Sequence, residues 1–270
     1  MFNVLKIQLK ILSKQNLARW SFGICLFFTV LLGFLIFHFS SFSGSFEFLS
    51  LMKGEKNGFN FSISLTYSVY KILLFFMIII SSTCVSNEAQ TGILKSLLVK
   101  RLERDHLILG KSFSLLVFFF MMFSLVFLLS ISAGGILYGF GDIAEKNYII
   151  HSASSLFVNI WLSFFLMVLP IFSLINFSLF FSVIFNNNIF PIVLSFGLHF
   201  IFSIFIEMDL FKNIFLTNYL FFPLSRFQKM AQGFPLPGSA EILNMILATA
   251  AYSTIFLICS ILIFRKKELP

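Results

Sequence analysis

Charge is what this chain has least of. Asp, Glu, Lys and Arg make up 11% of its 270 residues, against about 25% in soluble domains, and that excludes an ordinary soluble globular fold. Acids are the scarcer half, 11 against 19 Lys and Arg. The three cysteines, Cys25, Cys84 and Cys259, all fall inside apolar runs, which excludes a disulfide framework. Ionisable residues are nearly missing from those runs as well. Intramembrane enzymes and ion-coupled carriers need buried acids, bases or metal ligands, and no H-E-x-x-H, G-x-S-x-G or paired-Glu pattern occurs. Gly110-Lys111-Ser112 has the form of the tail of a phosphate-binding loop. The required glycine five residues earlier is replaced by Asp105, whose charge opposes a phosphate, so the chain is not expected to hold ATP itself. Lys111 reads instead as a charged flank where a helix enters a membrane.

What remains is apolar: 59% of residues, 42 of them Phe, with a mean hydropathy of +0.98. Runs of about 20 apolar residues mark membrane-spanning helices. Six are predicted, at 21–39, 67–86, 112–138, 156–185, 189–206 and 244–264, in one transmembrane domain covering 1–270. An even number puts both termini on one side. That side holds 12 Lys and Arg against four acids, and the other seven against seven, so the positive-inside rule places both termini in the cytoplasm of a multi-pass cell-membrane protein. The same rule explains the basic excess without nucleic acid as a partner. The fourth run exceeds a bilayer thickness and contains Pro170, predicting a tilted or kinked helix. His38 and His199 read as packed helix residues, Asn159 and Asn176 as interhelical hydrogen-bond partners, and Lys71 as a side chain reaching for the outer interface.

Three further segments are not spans. Residues 1–20 place Lys6, Lys10 and Lys14 opposite Phe2, Leu5, Leu9 and Leu12, a basic amphipathic helix suited to the membrane surface, with lipid as its partner. Residues 87–104 read as a helix capped by Asn87 and Gln90, with Ile93, Leu94, Leu97 and Leu98 as an apolar stripe among Lys95, Lys100, Arg101 and Arg104. That stripe needs lipid headgroups or a groove on another protein. Residues 207–241 are too apolar for a free loop and are broken by Pro223, Pro235 and Pro237. They are predicted to form short helices dipping part way into the outer leaflet, either as a lid over an exit path or as a packed surface.

The block from Asn87 to Lys111, with Glu88, Gly92, Leu94, Leu97, Leu98, Arg104, Leu109, Gly110 and Lys111 in place, together with the layout around it, resembles the membrane subunit of type-2 ATP-binding-cassette (ABC) exporters. Arg101 stands where that family often has Pro, and Ile93 where Thr is common, with Thr91 just before. The resemblance implies an all-α membrane protein of six transmembrane helices with a cytoplasmic coupling helix between the second and third and a partly re-entrant outer segment between the fifth and sixth. It implies that Glu88, Thr91, Gly92, Leu94, Leu97, Leu98, Arg101 and Arg104 meet a separate ATPase subunit, present in two copies and carrying ATP and Mg, and that a second permease subunit completes a homodimer or heterodimer. Gly110, Lys111, Pro170 and Pro223 become structural or hinge positions, and no catalytic or metal site is expected on this chain. The substrate class stays open between drug, peptide, ion and support of copper-enzyme maturation. The alternative is a small carrier not driven by ATP, or a structural subunit of a membrane complex.

Overall fold

A computed structural model of the chain describes residues 2–39, 57–94, 104–145, 148–205, 215–234 and 238–267. The helices in chain order are α1 (Phe2–Lys14), α2 (Asn16–Phe39), α3 (Gly58–Thr83), the single turn α4 (Ser86–Gln90), α5 (Arg104–Tyr138), α6 (Ala153–Leu166), α7 (Val168–Ile184), α8 (Ile189–Phe205), α9 (Leu216–Ala231) and α10 (Ser239–Lys266). Two short strands, β1 (Ile143–Glu145) and β2 (Tyr148–His151), pair antiparallel between α5 and α6 in a chain whose described elements are otherwise helical.

Among the described residues five stretches are long and apolar enough to cross a membrane: Asn16–His38, Gly58–Gln90, Arg104–Tyr138, Ala153–Ile184 and Ser239–Lys266. The chain is therefore a multi-pass helical membrane protein. The fifth expected span corresponds to α8, whose described part is apolar but only 17 residues long, about 25 Å at 1.5 Å per residue. α3 and α7 form the middle of the bundle, while α2 and α10 keep most of their surface outward.

Helix α3 begins at Gly58, nine residues before the span predicted from hydropathy. The added turns hold Asn60, Ser62, Ser64 and Thr66, which lower hydropathy but cost little here, because Ser62 and Thr66 donate to the carbonyls of Gly58 and Ser62 four residues back, at 2.6 and 2.8 Å. Asn57 caps the helix by accepting from Phe59 N at 3.1 Å, and its amide donates to the Gly141 carbonyl at 2.7 Å. That second bond ties the start of α3 to the end of α5. The expected kink in the fourth span lies at Met167, between α6 and α7, with Pro170 in the first turn that follows. There the missing N–H of proline costs least.

Ring contacts orient α9. Phe221 lies 5.4 and 5.6 Å from Tyr67 and Tyr70, whereas Phe227 lies 6.5 Å from Phe59 at the start of α3. α9 thus climbs along α3 from mid-bundle toward the end opposite the termini, and Pro223 sits inside it without breaking it. Parts of the segment 207–241, including Pro235 and Pro237, lie outside the described residues.

α1 forms as expected and lies along α5, with Lys6, Lys10 and Lys14 exposed and Gln8 and Leu12 buried. Lys71 is exposed, its ammonium 5.0 Å from the Tyr67 ring centre.

Candidate functional site

The densest polar construction lies at the end of the bundle that carries the termini, around the turn leaving α3. The last carbonyls of a helix have no partner within it and attract cations. At α3, Lys111 supplies the cation: its Nζ donates to the Cys84 carbonyl at 3.0 Å and pairs with Glu88 Oε1 at 2.6 Å. Lys111 is 0% and Glu88 2% exposed. This corrects the reading of Lys111 as a membrane-entry flank. Helix α5 already starts at Arg104, so Gly110 and Lys111 are buried residues inside a continuous helix.

α4 is held from two further sides. Ser182 on α7 accepts from the Val85 and Ser86 N–H groups at 2.9 and 3.1 Å. Asn188, at the head of α8, accepts from Ser86 Oγ at 2.8 Å and donates to Gln90 Oε1 at 2.8 Å and Asn87 Oδ1 at 3.3 Å. Asn87 is therefore a partner of Asn188 and not the expected helix cap; α4 has no side-chain cap.

The expected single helix over 87–104 is interrupted. Gly92 adopts φ of +71°, a left-handed conformation that costs residues with a Cβ about 1–2 kcal/mol, and the chain turns there before Ile93 and Leu94 resume helical geometry. Thr91, Gly92 and Ile93 are exposed, whereas Leu94 is 1% exposed and sits in the chain's own core. Leu97, Leu98 and Arg101 lie outside the described residues. Gly92→Val is expected to lower stability by about 1–2 kcal/mol and Gly92→Asn by less, read from thermal unfolding in detergent.

Arg104 does not reach outward. Its Nη1 donates to the carbonyls of Phe264, Arg265 and Lys267 at 3.3, 2.8 and 3.0 Å, capping the end of α10. Asp105 pairs with Arg265 beside it. Lys267 donates to the Val183 carbonyl at 2.5 Å at the end of α7, and burial holds its ammonium below the ordinary lysine range. Deeper in the bundle, Ser112 donates to Asn176 at 2.5 Å, the expected interhelical bond. Asn159 bonds only within its own helix, to the Ser155 carbonyl at 2.9 Å.

These contacts bind α3, α4, α5, α7, α8 and α10 together at one end while leaving the surface from Gln90 to Ile93 exposed. Within it the Lys111 Nζ also lies 3.7 Å from the Cys84 Sγ. Among the described residues no group of three His, Cys, Asp or Glu side chains is placed to hold a metal ion. The Glu88–Lys111 pair escaped the sequence reading, although a lone charge of opposite sign at each edge of two successive apolar runs is the signal that points to it.

No curated protein matches the chain. Residues 25–269 match the family described as "Protein of unknown function (DUF2705)", and the chain belongs to that family.

Proposed function

We propose that the chain is the membrane-spanning permease subunit of an ATP-driven exporter, pairing with a separate ATPase that binds at the turn from Gln90 to Ile93. The observation that carries this reading is the exposed turn fixed to buried bonds. Thr91, Gly92 and Ile93 face outward, and one helical turn back Glu88 and its neighbours are locked to α5, α7 and α8. A push on such a turn moves three spans together, because a closely packed interior transmits displacement. Two ATPases closing on ATP supply that push, and the basic excess puts this end in the cytoplasm.

In this reading α8 belongs to the fifth of six spans. α9 is the re-entrant outer segment, and two copies of the chain, or this chain and a relative, enclose the path. Leu94, buried in the core, anchors the turn from Gln90 to Ile93 in the permease.

The test is co-purification in mild detergent with an ATPase encoded beside this chain. Wild type is expected to retain the ATPase. Ile93→Glu, at a residue 41% exposed, is expected to lose at least about 90% of it while inserting normally, and Ile136→Glu, 84% exposed at the other end of α5, to retain it. Equal retention by both variants contradicts the assignment.

A further inference from the structure

Two cavities meet α9 and α10, one toward the end opposite the termini and one deeper in the bundle. The larger, about 470 Å³, is lined by Asn218, Tyr219, Phe222, Ser225 and Lys229 of α9 and by Glu241 and Asn244 of α10. Asn218, Phe222, Ser225 and Lys229 form one stripe at helical spacing. The other side of α9, with Leu220, Leu224 and Phe227, is buried in the bundle, so the polar stripe is turned to α10. Lys229 and Glu241 are both exposed, and among the described residues neither has an ion-pair partner. Opposite charges on two walls of one cavity, held apart from each other, are complementary to a ligand that carries both.

The smaller cavity, about 230 Å³, lies further in along the same two helices. Phe215, Leu216 and Thr217 precede Asn218 directly, and Tyr252 and Phe256 follow Asn244 on α10. Its other walls are aliphatic and aromatic side chains of α7 and α8 together with His199. From Asn244 to Tyr252 is eight residues, about 12 Å along the helix. A polar chamber carrying both charges thus adjoins an aromatic chamber deeper in the bundle, the polarity order of a membrane interface.

We propose that these cavities bind a zwitterionic amphiphile, with its anionic group at Lys229, its ammonium at Glu241 and its apolar chain directed to the aromatic chamber. Phe222 beside the head cavity adds a ring face for the ammonium. Binding stands on this chain alone; only its extension, that such an amphiphile is the exported substrate, rests on the exporter reading.

The full chain, purified into amphipol without any ATPase, is titrated with lysophosphatidylethanolamine, with lysophosphatidylglycerol, which lacks the ammonium, and with free phosphoethanolamine, which lacks the chain. The expected result is at least about tenfold tighter binding of the first than of either other. Glu241→Gln should reduce the preference over lysophosphatidylglycerol about fivefold, and Lys229→Gln should weaken both lysolipids about fivefold. Both side chains are exposed, so unchanged helicity and thermal midpoint are expected and confirm folding. Tyr252→Trp, which fills the inner chamber, should weaken the lysolipid and leave the free headgroup unchanged. Equal affinity for the two lysolipids, a preference unmoved by Glu241→Gln, or affinities unmoved by Lys229→Gln overturns the proposal. Free phosphoethanolamine binding as tightly as the lysolipid overturns the amphiphile assignment. Failure of the ATPase co-purification with these results intact removes the exporter reading and leaves the site.

Discussion

Lys111→Met is expected to be among the most damaging single changes in the chain, costing about 3–5 kcal/mol, because it leaves the Glu88 carboxylate buried without a counter-charge. The pair is 2.6 Å apart with both side chains essentially inaccessible. The Cys84 carbonyl at the end of α3 loses its donor in the same step. A loss of that size is expected to lower the midpoint of thermal unfolding in detergent by about 10 °C. Glu88→Gln is expected to cost less, since the amide still accepts from Lys111. The double change Lys111→Met, Glu88→Leu should recover most of the loss, as removing both members of a buried pair is often near neutral. Additive losses in the double variant contradict the buried pair.

The second large effect is expected where α3 and α5 touch backbone to backbone. A Cβ on Gly134 meets Ser62 Oγ and the Gly58 carbonyl oxygen, and one on Gly58 meets the carbonyl oxygens of Gly139 and Gly134. Backbone has no rotamer to give, so the helices must separate, breaking the 2.8 Å bond from Gly58 N to the Gly139 carbonyl. Gly134→Ala is expected to cost about 1–3 kcal/mol, as overpacking of a filled core does, and Gly134→Leu more. Gly197 on α8 is the control. Its added Cβ meets nothing within 4 Å, so Gly197→Ala should be neutral or stabilising by up to about 1 kcal/mol through helix propensity. Equal losses at 134 and 197 would show that the close approach does not exist.

The two sites differ in how visible they are in the sequence. Hydropathy marks the spans because the membrane demands apolar surface over a fixed length, and Pro170 marks the kink because a missing N–H has a local consequence. The close approach at Gly58 and Gly134 is silent, since glycine in an apolar run has the same appearance whether it faces lipid or another backbone. The early start of α3 was hidden by hydroxyls that count as polar in a hydropathy sum yet bond their own helix. Glu88 and Lys111 were each visible, one as a helix-dipole residue and one as a flank. Their pairing depends on α4 folding back against α5, which only the opposite charges at the edges of the two apolar runs hint at. Arg104 shows the same limit: the family resemblance implies that it meets a partner, whereas its guanidinium caps α10. The amphipathic stripe over 93–98 reads as one surface, yet Leu94 within it belongs to the chain's own core, because the turn at Gly92 rotates the segment.

The central claim, that the turn from Gln90 to Ile93 is where an ATPase drives the permease, is tested most directly by site-specific photo-crosslinking in intact membranes. A photoreactive residue is placed at position 93 and, in a second strain, at position 136, with the neighbouring ATPase co-expressed. The account predicts an ATPase adduct at 93 whose yield changes when ATP is depleted, and none at 136. An adduct at 136 but not at 93, or no adduct at either position with both proteins present in the membrane fraction, contradicts it.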